Sequence, residues 1–116
     1  MKTKVAIFAF KGDPVCFAHV LLNALDLHEK GCDVRVVLEG AATAQIRELA
    51  EPGKPFAALY ARLRDQGLVD CVCKACAAKM GALDAAKEQG LTVCDEMSGH
   101  PSLERYLAQG YQIITL

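Results

Sequence analysis

The chain has 116 residues, 53% of them hydrophobic, which suits one domain around one core. Its acids and bases nearly cancel to a formal charge of −1 and are scattered without a basic run, so nothing electrostatic points to nucleic acid or an anionic membrane surface as partner. No stretch approaches the roughly 18 apolar residues of a membrane span, so no membrane contact is expected.

The opening segment MKTKVAIFAFKGDP has a positive start and an apolar centre. Its apolar run covers only Val5 to Phe10 and stops at Lys11-Gly12-Asp13 without a small-residue cleavage site, so it reads as a strand and not as a secretion signal. A soluble cytoplasmic protein is the expectation, and in a reducing compartment closely spaced cysteines mean metal binding or thiol chemistry more often than structural disulfides.

The first strand, about Lys4 to Phe10, leads into a helix over Asp13 to Lys30, with Asp13 as N-cap and Pro14 at the first helical position. A strand at Asp33 to Leu38 follows, then helices at Thr43 to Glu51 and Lys54 to Gln66, split by Pro52-Gly53. The chain continues with a strand at Leu68 to Cys73, a helix at Lys74 to Gln89, a strand at Leu91 to Asp95, a helix at Ser102 to Gln109 and a last strand at Tyr111 to Leu116. Gly31, Gly67, Gly90 and Gly110 each stand where a polar helical end meets an apolar run, as helix-closing residues do. The strands are short, Val- and Ile-rich and mostly continuous, which suits burial on both faces. Regular alternation of strand and helix predicts a three-layer α/β sandwich: a five-stranded, mainly parallel sheet with helices on both faces, spanning residues 1–116 as one domain.

Ligands of such sheets bind outside the carboxyl ends of the strands. The residues there are Lys11, Gly12 and Asp13 after the first strand, Glu39 and Gly40 after the second, Cys73 to Cys76 after the third, and Asp95 to His100 after the fourth. Lys11, Gly12 and His100 are therefore candidate substrate-binding residues, although Gly99-His100-Pro101 is also an ordinary way into a helix.

Three of the six cysteines fall in VDCVCKACAAKMG. If the strand ends near Cys73, that residue occupies the next helix's N-cap, beside the amides of Ala75 and Cys76 and with Lys74 and Lys79 nearby. This setting favours the thiolate, the nucleophilic form, and Cys76 lies one turn on, within bridging reach. Cys73 and Cys76 are the candidate catalytic pair.

A metal reading stands beside it. Thiolates on one zinc lie within ~4 Å of each other, whereas residues two apart on a strand are separated by roughly 6.6 Å, so Cys71 and Cys73 fit one ion poorly. Cys73 and Cys76 with a loop-borne ligand, Cys94 or His100, remain an option for zinc or an iron-sulfur cluster, although no second CxxC is present. Dithiol exchange is a further reading, weakened by the absence of a later proline suited to a facing loop. Cys32, Cys71 and Cys16 read as buried spectators, His19 as a core or subunit contact, and His28 as a surface residue. FKGDP lacks a phosphate-cradling pattern, and LEGAAT fits backbone amides offered to an anion and a plain strand-to-helix turn equally well. The first helix is apolar beyond one stripe, with Val15, Leu22 and Leu27 off the main face, which hints at self-association.

The order VAIFAF, long helix, VRVVLEGAAT, VCKACAAKMG opening a helix and MSGHPSLERYLAQGYQIITL resembles the DsrE/DsrF-like family, with its YchN-like fold and its sulfur-relay proteins of the TusD type. The resemblance covers essentially the whole chain. It implies a parallel-sheet α/β sandwich assembled as trimers or hexamers, and a cysteine after the third strand that accepts sulfur as a persulfide and passes it to a partner. Cys73 matches that cysteine, and Cys76 departs from the single-cysteine pattern of the relay members. The expectation is a homo-oligomeric sulfur carrier or sulfurtransferase with protein donor and acceptor and no cofactor. A zinc or iron-sulfur module, a thiol-disulfide protein and a non-catalytic oligomeric interaction protein stand as alternatives.

Overall fold

Among residues 2–116, which the computed structural model describes, five strands form one all-parallel sheet in the order β4-β3-β2-β1-β5. They are β1 (Lys4–Ala9), β2 (Asp33–Leu38), β3 (Val69–Cys73), β4 (Val93–Cys94) and β5 (Gln112–Thr115). The helices are α1 (Pro14–Glu29), α2 (Ala44–Glu48), α3 (Ala57–Asp65), α4 (Lys74–Lys79), α5 (Leu83–Glu88) and α6 (Leu103–Ala108), with a 3₁₀ turn at Gly40–Thr43 ahead of α2. No helix among the described residues is long and apolar enough to cross a membrane.

Handedness distributes the helices. From β1 to β4 the chain advances across the sheet in one direction, and right-handed crossovers put every intervening helix on the same face. The return from β4 to β5 runs the other way and places α6 on the opposite face. The packing follows: Val5, Ile7, Val36 and Leu38 bury against Phe17 and Leu21 of α1, Ile46 of α2, Tyr60 and Leu63 of α3, Ala77 of α4 and Ala86 of α5. The second face has a smaller cluster of Ala6, Phe8, Val37 and Cys71 under Tyr106 and Tyr111.

Local chemistry sets the element ends. The Asp13 carboxylate accepts from the amides of Val15 (2.8 Å) and Cys16 (3.1 Å), and Pro14 follows at the start of α1. Gly31, Gly67, Gly90 and Gly110 all take positive φ at helix ends.

The expected helix over 74–89 is instead two helices. Gly81 (φ +69°) closes α4 after six residues, with the Ala82 amide bonded back to the Ala77 carbonyl at 2.8 Å. The helices around Pro52-Gly53 are shorter than expected because the 49–56 segment, with its two prolines and Phe56 at φ +73°, stays out of helix. β4 keeps only two residues, as a strand paired on one side does when it forms a sheet edge.

Leu63 is fully buried between α3 and the sheet. Leu63→Ala should lower the unfolding free energy by about 2–5 kcal/mol in urea titration; a loss under about 1 kcal/mol would mean that this layer relaxes around the deletion.

Candidate functional site

Where adjacent strands send their connections to opposite faces, the loops part and leave a crevice. Here those strands are β3, which leads into α4 on the crowded face, and β4, which leads towards α6 on the other. Cys73 is the last residue of β3, Cys76 lies in the first turn of α4, and His100 is on the connection from β4 to α6. Glu39 follows β2, the neighbour of β3.

One ligand atom from each of these four side chains lies within 4.8 Å of all the others. Cys73 Sγ is 2.9 Å from Cys76 Sγ and 3.1 Å from His100 Nδ1, and Cys76 Sγ is 3.7 Å from the same nitrogen. His100 is held by a two-residue hairpin. Met97 and His100 exchange backbone hydrogen bonds of 2.8 and 2.9 Å across Ser98 (φ +49°) and Gly99 (φ +91°), both with the positive φ that such tight turns demand. The hairpin is fastened to α4 by the Ala75 amide, which donates to the Gly99 carbonyl at 2.9 Å. On its far side the Glu96 carboxylate accepts from the Ser102 amide and from Arg105 Nε.

Cys73 is the N-cap of α4 and its sulfur accepts from the Cys76 amide at 3.4 Å. The expected thiolate setting does not follow from this. The Ala75 amide is taken by Gly99, Lys74 turns to Asp95 at 3.6 Å, and the Cys73 side chain is fully buried. Burial, reinforced by the neighbouring Cys76 thiol, pushes the Cys73 thiol up to about 12, against the smaller opposing effect of the Cys76 amide. Burial also raises the Glu39 carboxyl above the ordinary carboxylate range, with His100 acting in the opposite sense. Cys76 is only partly buried and lines an open cleft of about 460 Å³ with Gly40, Ala75, Lys79, Met80 and His100. A slightly larger cleft of about 490 Å³, bordered by Pro52, Lys54 and Arg64, contains no cysteine or histidine.

The other sequence candidates lie elsewhere. Lys11 is exposed and borders a separate cleft with Thr115 and Leu116. Gly12 serves packing: its carbonyl accepts from Gln45 Nε2 at 2.7 Å, and a Cβ there would sit 2.9 Å from Ala41. Cys94 joins Cys71 on the opposite face, where Arg105 Nη2 lies 3.5 and 3.6 Å from the two sulfurs. The metal set with Cys94 is thereby corrected, because the Cys94 sulfur is engaged with Arg105 and Cys71 and stands outside the group that Cys73 and Cys76 form with His100 and Glu39. Cys71 is buried, as expected of a core residue, whereas His19 is exposed and not in the core. Glu39 stands in the sequence only as a strand-end residue, and its one signal there is an acid directly after the apolar run VRVVL.

The all-parallel α/β fold gathers a dithiol, an imidazole and a carboxylate at a strand-end crevice. The chain belongs to the DsrE/DsrF-like family, whose model matches residues 4–116. That membership points, at the level of the family, to sulfur relay. An uncharacterised protein of Methanocaldococcus jannaschii, MJ0733, is 33% identical over 120 aligned positions, covering all of this chain and 96% of that one. An uncharacterised protein of Archaeoglobus fulgidus is 37% identical over 51 positions, covering 44% of this chain and 84% of its own length. Among solved structures, a conserved protein of unknown function from Bacteroides thetaiotaomicron, BT1422, superposes with a TM-score of 0.65 at 18% identity, covering 97% and 95% of the two chains. That likeness is one of fold.

Gly99 is tightly flanked, since a Cβ would lie 3.1 Å from the Ala75 Cβ, and its φ of +91° disfavours any L residue. Gly99→Ala should cost about 1–2 kcal/mol and free the hairpin, so that a thiol reagent reaches Cys73 faster than in wild type. Unchanged labelling kinetics would show that the hairpin does not shield the pair.

Proposed function

We propose that this protein carries sulfane sulfur as a cysteine persulfide, taken from a protein donor and passed to a protein acceptor. The observation that carries the reading is the Cys73–Cys76 pair at a strand-end cleft, with His100 and Glu39 beside both sulfurs, in a chain of a sulfur-relay family. Exposure favours Cys76 as the sulfur that meets the donor and Cys73 as its inner partner, which exchanges the roles expected from the helix start alone. The Cys76 thiolate attacks the outer sulfur of the donor persulfide. A new S–S bond forms on Cys76, the donor S–S bond breaks, and the electron pair leaves with the donor thiolate. Glu39 and His100 are placed to take the thiol proton. An acceptor thiolate then attacks the same outer sulfur and restores Cys76.

Incubation with a persulfide donor should add one sulfur, about 32 Da, to the intact mass of wild type and of Cys73→Ser and not to Cys76→Ser. A gain that follows Cys73 alone would restore the inner cysteine as carrier, and no gain in any of the three would refute the reading.

Self-association accompanies this proposal. Among the described residues α6 is the one helix on the second sheet face, and its Leu103 (46% exposed) and Leu107 (58%) stand in solvent, as does Met97 (54%). Sedimentation should give a homo-oligomer that Leu107→Glu dissociates, with the far-ultraviolet dichroism unchanged; a wild-type monomer at tens of micromolar would contradict it.

A further inference from the structure

We propose that Glu39, Cys73, Cys76 and His100 form a binding site for a thiophilic divalent cation of the zinc class, held by two thiolates, one imidazole nitrogen and one carboxylate oxygen. The ligand count is the four that such an ion takes in a closed tetrahedral site, drawn from three separate segments. A tetrahedral zinc with sulfur at about 2.3 Å and nitrogen or oxygen near 2.0–2.2 Å spaces its ligand atoms roughly 3.3–3.8 Å apart. The sulfur and nitrogen atoms here stand 2.9, 3.1 and 3.7 Å apart, and no pair in the group exceeds 4.8 Å. Closing around an ion needs side-chain shifts of about 1 Å, within the rotamer freedom of a glutamate and of a histidine on a loop.

Glu39 supplies a second, independent observation. The residue is 92% buried (8% exposed), and among the described residues no protein hydrogen bond to its carboxylate is found, its oxygens keeping contact with solvent. A largely buried acid with no protein hydrogen-bond partner has lone pairs to offer, and this one faces two sulfurs and an imidazole, the other donors that such a cation takes. The immediate surroundings fit as well. The Cys76 amide donates to Cys73 Sγ, the kind of outer contact that orients a metal-bound thiolate. Cys76 and His100 border the cleft, which gives the ion a way in. The remaining cysteine pair, Cys71 and Cys94, has Arg105 against both sulfurs and repels a cation.

Binding exchanges protons for metal. Two S–H bonds break, two sulfur-metal bonds form, the protons pass to solvent together with any held by Glu39, and no electron changes hands. Three negative ligands against a divalent ion leave one net negative charge, and Lys79 stands at the cleft wall. The site rests on this donor geometry and not on the carrier reading, but it uses the same sulfurs. Bound metal and carried sulfur therefore exclude one another on Cys76.

The test is zinc titration of reduced, chelator-stripped protein against a chromophoric competitor, with cobalt(II) as the spectroscopic probe. Wild type should bind one zinc per chain, and cobalt should give thiolate charge-transfer absorption with tetrahedral ligand-field bands. Cys73→Ser or Cys76→Ser should weaken zinc by more than about 100-fold and Glu39→Gln by roughly 10-fold or more. Cys94→Ser should match wild type. No stoichiometric zinc, or an affinity that depends on Cys94 and not on Glu39, overturns the site. Persulfide loading of the stripped protein separates the two proposals: sulfur uptake without zinc binding refutes the metal site alone, and zinc binding without sulfur uptake refutes the carrier alone. If both occur, zinc should block sulfur uptake, and failure to block would place the metal elsewhere.

Discussion

The edge of the sheet depends on a rule of handedness. Right-handed crossovers carry the chain from β1 to β4 on one face, and only the step back to β5 can use the other. The parting of the two routes opens the space beside the ends of β3 and β4, where Cys73, Cys76 and His100 meet. One backbone hydrogen bond, from the Ala75 amide to the Gly99 carbonyl, ties the routes together again at 2.9 Å. That bond favours a glycine at 99, whose φ of +91° strains any L residue and whose Cβ would crowd Ala75, and it brings the imidazole to within reach of both sulfurs.

The same handedness explains why four cysteines near one end of the sheet form two unlike pairs. Cys71 and Cys94 lie beneath α6, in a network where Asp70 bonds Arg35 and Tyr106 and where Arg105 reaches both thiols. Burial raises the Cys71 thiol, and the polar groups around it already satisfy one another. Cys73 and Cys76 lie on the route to α4 and have for neighbours a histidine with one nitrogen turned to the sulfurs and a carboxylate with no hydrogen-bond partner among the described residues. The first pair is a finished piece of core. The second has donor atoms to spare.

Most of the fold could be read from residue order because short apolar strands, closing glycines and the Asp13-Pro14 start act locally, over spans where propensity and capping dominate. The break at Gly81 followed the same punctuation as Gly67 and Gly90 but lacked an apolar strand after it, so it passed for helix interior. The cysteine pair and His100 were visible as strand-end residues. Their environment was not, since the Cys73 thiol is governed by burial under the hairpin and by the use of the Ala75 amide, both products of contacts over twenty residues away in sequence. Glu39 escaped for the same reason: what distinguishes it is the lack of a partner, and a missing contact leaves no mark on a sequence.

The Cys73 thiol and the Glu39 carboxyl have little tendency to ionise by themselves, because burial penalises each charge and the two repel one another once charged. Whatever draws protons out of the group must therefore bring compensation with it. A divalent cation in the proposed site would offset two of the three negative charges at once and draw on all four residues. A donor persulfide needs one thiolate, at the cleft, for the duration of one attack, with the neighbouring carboxylate and imidazole taking the proton. The two proposed occupants differ in how many charges must coexist: a metal would engage the inner sulfur of Cys73, whereas transfer at Cys76 would leave it protonated.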